Sequence, residues 1–282
     1  MKVYFSPYTL HPVKRLNRLS SMDPKKGVHL KAVLGDKIMF ADYFPHLPLG
    51  DRPNDQFLDE FKFQKIEYDQ KVFDLLLRDK GFQNFIPKKF FNHQLWTGGE
   101  DLQGEVIKYK MLHGKDRSFI IPLEKGLRLR LDGNALFKRA DYDYFVKDIP
   151  SGYHDKIDYI EDPLVEKNWE DLNFPSARDF IEGSHFDYYI YKPNCEFKPK
   201  FDKKIIFSAY LGSDLGNWQT YCELIEQGDL TLTHGIIGTG FYEEENSFFT
   251  GTYKNGFSAD MNVVNGIYKT IYQRDWKLLC SM

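Results

Sequence analysis

The sequence predicts an α/β protein: a barrel of parallel strands preceded by a small α+β unit. Three observations predict it. From about Phe90 onward, eight short apolar runs follow one another in series. Each ends in a polar or charged residue, the layout in which strand ends converge on one mouth of a barrel. Ahead of them stand a hairpin signal and one helical pattern, and the chain, with 282 residues of which 42% are apolar, can bury a sizeable core.

In the α+β unit, Val28 to Phe40 carries two alternating runs around Gly35-Asp36, a hairpin. A proline-rich loop, FPHLPLGDRPND, follows. Asn54 or Asp55 then caps a helix in which Phe57, Phe61, Tyr68, Val72 and Leu76 recur at helical spacing, ending near Gly81. The eight runs are NHQLW, EVIKYKML, GLRLRLDGN, IDYIEDP, FPSARDF, DYYIYKP, KIIFSAYLG and LTLTHGIIG. Asp132 and Glu161 are 29 residues apart, room for strand, helix and strand, but Asp179 and Lys192 only 13. A parallel crossover needs about a dozen residues, so some outer helices must be short or missing. In the tail from Ser247, Asn265-Gly266 within VVNGIY suggests a second hairpin packed outside the barrel.

Composition excludes several classes. The net charge of -3, from 38 basic and 41 acidic side chains without a dense basic block, argues against a nucleic-acid partner. The N-terminus lacks the apolar segment of a signal peptide and no stretch approaches about 18 apolar residues, so neither secretion nor a membrane is expected and the location is expected to be cytoplasmic. Cys195, Cys222 and Cys280 lack metal-ligand spacing and are read as free thiols. The eight histidines show no paired spacing, which argues against zinc. The aromatic content of 16% predicts a ring-rich core.

The chemistry lies in the strand ends, taken in order: Lys108 and Lys110, then Asp132, Glu161, Asp179 and Lys192. Carboxylates from three successive strands can converge on one hard divalent cation such as Mg2+. Each piece has an ordinary reading by itself. Lys108 and Lys110 share one face of a strand and that face can be in water. Asp132-Gly133 can be a hairpin turn, Glu161 before Asp-Pro the end of a strand, and Lys192 before proline an edge position. Asp179 follows the weakest strand, and Glu182, three residues on, competes with it as the third ligand.

The order of these motifs resembles that of the enolase superfamily and, within it, the o-succinylbenzoate synthases. Lys108-Tyr109-Lys110 matches the family's K-x-K, Leu129 to Asn134 matches L-R-L-D-x-N with Arg130 included, and Glu161 in IEDP matches the fourth-strand acid. Asp179 falls on the fifth-strand acid and Lys192 on the sixth-strand lysine before proline. The chain departs from the family at Gly133, where alanine is usual, at Phe180, where a second acid is usual, and at Gly212, which replaces a glutamate in the serine-rich motif Ser208 to Gly216.

The resemblance implies a modified (β/α)7β TIM-like barrel over residues 89–246 and an α+β capping domain over 1–88, joined by the tail 247–282. It implies Mg2+, with Mn2+ as a substitute, on Asp132, Glu161 and Asp179. Lys110 is then the base, its pKa lowered by the metal and by Lys108, while Lys192 stabilises the enediolate from the opposite face. Ser208, Ser213 and Gly238 are the candidates for substrate contact, with Arg130 and Asn134 supporting the site. The implied reaction is syn dehydration of 2-succinyl-6-hydroxy-2,4-cyclohexadiene-1-carboxylate to o-succinylbenzoate in menaquinone biosynthesis. Cap loops at Arg18 to Lys26 and Phe44 to Asp51 would close over this small carboxylate, and a monomer is favoured.

Two alternatives remain at this stage. An N-acylamino acid racemase would use Lys110 and Lys192 as acid and base on opposite faces. A degenerate barrel would bind without catalysis. A dipeptide epimerase is disfavoured because HGIIGTG stands where D-x-D is usual, and a mandelate racemase-like enzyme because Lys192 replaces a His-Asp dyad.

Overall fold

A computed structural model describes residues 1–281 except 16–20, 48–50, 63–75, 77, 78, 80, 82–84, 112, 167, 168, 170, 180–185, 194–203, 210, 239 and 245. Strands β1 (Lys2–Leu10), β2 (Lys25–Leu34) and β3 (Lys37–Tyr43) form an antiparallel sheet with the last strand, β15 (Lys277–Ser281), in the order β15-β1-β2-β3. The Gly35-Asp36 turn joins β2 to β3, with Gly35 at φ 58°, a left-handed conformation that glycine adopts without a Cβ penalty. Val28, Leu30, Ala41 and Tyr43 cover helix α1 (Asn54–Lys62), whose Phe57 and Phe61 sit one turn apart on its buried face. The Phe57 ring stacks on Tyr43 with centroids 3.7 Å apart. The expected continuation of this helix lies mostly outside the described residues, although Leu76 enters the same core.

The runs from Phe90 onward fold as parallel strands. They are β4 (Phe91–Asn92), β5 (Gln94–Trp96), β6 (Val106–Lys110), β7 (Arg128–Asp132), β8 (Ile157–Glu161), β9 (Ser176–Arg178), β10 (Tyr188–Tyr191), β11 (Lys204–Phe207) and β12 (Thr233–His234). β5 through β11 form one sheet in chain order. The ring closes through β12, which pairs with β4 on one side and, through the Ser208–Gly235 bridge, continues β11 on the other. The first run therefore splits, Asn92 facing the last strand and Gln94 to Trp96 facing β6.

Alternation along the strands sorts the side chains. Ile107, Tyr109, Leu129, Leu131 and Ile160 point outward into a core shared with α2 (Ile120–Glu124) and α3 (Arg139–Lys147). Tyr159, Ala177, Ile190 and Ile206 form a separate apolar layer. In register on neighbouring strands above that layer stand Lys110, Asp132 and Glu161. Among the described residues no helix lies between Glu161 and Ser176 or between Arg178 and Tyr188, the latter within the short Asp179 to Lys192 spacing.

One expectation is overturned. VVNGIY is not a hairpin but part of α5 (Met261–Tyr272). Asp260 caps it by accepting from the Asn262 N–H at 2.9 Å, and Val264, Tyr268 and Ile271 bury one face against the core that holds Phe40 and Trp218. Helical periodicity with a capped start outweighs a local Asn-Gly turn preference when that face can be buried. Before α5 stands a short hairpin, β13 (Phe249–Thr252) with β14 (Gly256–Ala259).

The sheet of the first unit is tied to α4 (Asp214–Gln227) by buried polar contacts. Asp42, fully buried on β3, accepts from Tyr8 Oη at 2.7 Å and from the Ser213 N–H and Oγ at 3.0 and 2.9 Å. Gln219 Nε2 donates to the Phe40 carbonyl at 2.9 Å. Burial raises the Asp42 carboxyl to about 6, although these donors oppose the shift. The native state therefore holds this proton more tightly than the unfolded chain does. The associated stability is complete below the ordinary carboxylate pKa and is lost as pH rises through about 6. Denaturant midpoints are expected to fall between pH 4.5 and 7 in the natural chain and to fall less in Asp42→Asn. Equal pH dependence of the two would remove Asp42 as the source.

Among the described residues no helix is long and apolar enough to cross a membrane, and Cys222 and Cys280 are present as thiols. Cys195 lies outside them.

Candidate active site

The strand ends gather charge in a buried mouth. Lys108 is 7% exposed and donates from Nζ to both carboxylate oxygens of Glu161, at 2.8 and 2.7 Å. The same Nζ lies 3.2 Å from Asp132 Oδ2, which is also 3.7 Å from Lys110 Nζ. Asn134, at φ 45°, turns back so that its backbone N–H and Nδ2 both donate to Asp132 Oδ1, at 3.2 and 2.6 Å. On the other side of Glu161, Lys192 pairs with both oxygens of Asp179.

Burial favours the neutral form of each of these groups, and the neighbouring charges decide which stay charged. At Lys108 burial lowers the pKa, but Asp132 and Glu161 outweigh it and hold the group well above the ordinary lysine value. Lys110 goes the other way: burial lowers it, Asp132 opposes, and the Lys108 and Lys192 ammoniums add to the fall. The expected direction is therefore found, with burial rather than the second ammonium as the main cause. Glu161 is raised to about 7 by burial, with Lys108 opposing and the Asp132 and Asp179 carboxylates adding. Asp132 stays below its usual range because Lys108 and Lys110 outweigh burial.

Asp162 was not among the expected site residues. It is 7% exposed, sits at φ 41° immediately after Glu161, and is raised well above the carboxylate range by burial and then by Asp179. Glu161, Asp162 and Asp179 each present an oxygen, and these oxygens all lie within 4.8 Å of one another. An all-carboxylate set of this span suits a hard divalent cation, and the raised Glu161 and Asp162 mark negative charge that a cation would offset. Asp132 stands one strand away, with the Lys108 ammonium between it and Glu161. The signal for Asp162 was present in IEDP, but an acid before proline reads first as a turn.

The remaining candidates divide. Arg130 lies deeper in the barrel, opposite Lys108 in register, and is held by Asp158 at 3.1 Å and His93 at 3.2 Å. Ser208 stands at the end of β11 on the bridge that closes the barrel, and Gly238 lies in the loop after β12. Ser213 is engaged by Asp42 and His29, away from the lysines and carboxylates of the strand ends. Glu182 lies outside the described residues, as do 18–20 of the expected cap loop Arg18 to Lys26 and 48–50 of the expected cap loop Phe44 to Asp51.

Gly133, where the family usually has alanine, packs tightly against the turn after β8. A Cβ there would meet the Asp162 carbonyl oxygen at 3.0 Å, Pro163 Cα at 3.2 Å and the Glu161 carbonyl oxygen at 3.3 Å. All three are backbone, so Gly133→Ala is expected to displace the turn carrying Glu161 and Asp162 and weaken Mg2+ binding several-fold in calorimetric titration. Unchanged affinity would show that the turn yields freely.

No protein-family model matches the chain. In sequence it is similar to an o-succinylbenzoate synthase of Bdellovibrio bacteriovorus, 29% identical over 186 residues, which is 58% of this chain and 56% of the relative. The match thus spans little more than half of that protein. In fold it is similar to the o-succinylbenzoate synthase of Thermosynechococcus elongatus BP-1 complexed with Mg in its active site. That likeness has a TM-score of 0.67 and 13% identity and covers 96% of this chain and 100% of the other. It is also similar to an enolase family member of Agrobacterium tumefaciens with homology to dipeptide epimerases (TM-score 0.62, 12% identity, 91% of this chain and 97% of the other). The fold, an α/β barrel with an N-terminal sheet domain, is like that of these solved structures.

Proposed function

We propose that this chain is an o-succinylbenzoate synthase, a hydro-lyase that dehydrates 2-succinyl-6-hydroxy-2,4-cyclohexadiene-1-carboxylate with Mg2+ in menaquinone biosynthesis. One observation carries the reading: Lys108, Lys110, Asp132, Glu161, Asp179 and Lys192 meet at the C-terminal ends of consecutive parallel strands, with the pKa of Lys110 lowered there.

Mg2+ held by Glu161 and Asp179, with Asp162 or Asp132 as third donor, would bind the substrate carboxylate and offset the charge that builds as the adjacent C–H bond breaks. Lys110, neutral part of the time, takes that proton on Nζ and returns it to the departing hydroxyl, so that water leaves from the same face. Lys192, paired with Asp179 and near enough for its charge to act on Lys110, balances the developing anion. Lys108, fixed in its charged form, holds Glu161 and Asp132 in place. The chain's site residues thus supply one base and, in Lys108, one cation held charged by its neighbours.

The test is an assay with the dehydration substrate, run beside proton exchange at the α-carbon of N-succinyl amino acids. Dehydration that EDTA abolishes and Mg2+ restores is expected. Exchange without dehydration would make the chain an N-acylamino acid racemase. Mg2+ binding with neither activity would make it a non-catalytic barrel.

A further inference from the structure

A cavity of about 490 Å3 lies between the N-terminal sheet, the start of α4 and α5. None of Lys108, Lys110, Asp132, Glu161, Asp179 and Lys192 lines it. Its volume falls in the range of small-molecule sites, about 300–1,000 Å3. One wall is apolar: Val263, Ile267 and Ile271 succeed one another every four residues along α5. Between them Gly266 leaves open space, since a Cβ there would meet nothing within 4 Å.

The polar groups of the lining are unevenly satisfied. Asp214 accepts from Asn246 on both oxygens, and both Glu244 oxygens are engaged by His11. Arg274, by contrast, has no carboxylate at ion-pairing distance among the described residues, and its Nε has no hydrogen-bond partner. The carboxylate whose charge acts on it, Asp42, is engaged by Tyr8 and Ser213. His29 is 1% exposed, is held neutral by burial and by Arg274, and has an unpartnered Nδ1. A half-buried guanidinium without a counter-ion is costly, and a carboxylate is the group that satisfies its planar donors.

We propose that this cavity is a second binding site, for a small organic monocarboxylate whose ring-sized apolar body lies against α5 beside Gly266 and whose carboxylate meets Arg274. Uncharged isosteres bind more weakly, because the apolar wall remains but the guanidinium gains nothing.

The test uses 4-fluorobenzoate as probe, followed by 19F NMR with the full chain. Lys110→Ala in EDTA removes the base and any metal that could hold a carboxylate at the strand ends without touching this cavity, so a bound signal is expected to persist there. That signal is expected to disappear in Gly266→Phe, which fills the space, and in Arg274→Gln, which removes the charge, and 4-fluorobenzamide is expected to compete poorly. Phenylalanine replaces a helical glycine here, so α5 keeps its propensity, and melting curves confirm that both variants fold. Should one fail to fold, the other decides. No bound signal up to the probe's solubility, or a signal that survives the folded variants, overturns the proposal.

Discussion

Replacing Lys110 by alanine is expected to lower kcat for dehydration by about 10²–10⁴-fold, the share a positioned acid–base group supplies. The loss should fall on kcat more than on Mg2+ affinity, because Lys110 approaches only Asp132 among the candidate ligands, at 3.7 Å. The pH profile provides a second readout. A lysine base works when neutral, so activity is lost as pH falls. Burial lowers the pKa of Lys110 and the ammoniums of Lys108 and Lys192 add to this, so the midpoint of that limb should lie below the free-lysine value of about 10.4. Lys110→Arg keeps the charge and removes the base, and it should be as inactive as Lys110→Ala. Wild-type turnover in either variant would place the base elsewhere.

Lys108→Met is expected to cost about 3–5 kcal/mol of stability, the usual penalty when one partner of a buried ion pair is removed and the other charge remains. Here two carboxylates are left behind, Glu161 and Asp132, both about 3% exposed. Urea unfolding in EDTA measures the loss. It should be larger at pH 8 than at pH 5, because without the Lys108 ammonium burial should raise both carboxyls in the folded state, and stability conferred by their protonation is lost as pH rises. Mg2+ should recover more stability in Lys108→Met than in the natural chain. A loss below about 1 kcal/mol would mean that the ammonium does not balance these acids.

The sequence made the barrel legible because its strands are short apolar runs with polar ends, a pattern set by local alternation. Lys108, Lys110, Asp132, Glu161 and Lys192 could be singled out for the same reason. Asp162 could not, since a residue before proline carries a turn signal of its own and only the left-handed φ brings its carboxyl beside Asp179. The α5 helix was missed because Asn265-Gly266 is a turn pair by local preference. What overrode it was the burial of Val264, Tyr268 and Ile271 against residues more than thirty positions away.

The pairing of charges was likewise beyond the chain's one-dimensional order. Sequence placed three acids and three lysines on strand ends, but it could not say that Lys108 would sit between Asp132 and Glu161 or that Lys192 would hold Asp179. It offered Ser213 to the substrate, whereas the folded chain engages Ser213 with Asp42 and His29. By itself, then, the sequence determined which residues stand at the ends of which strands, because alternation and strand length are local. Only the tertiary structure decided which charges meet, which lose water and which cation is left without a counter-ion, because strand curvature and burial act over distances the sequence does not encode locally.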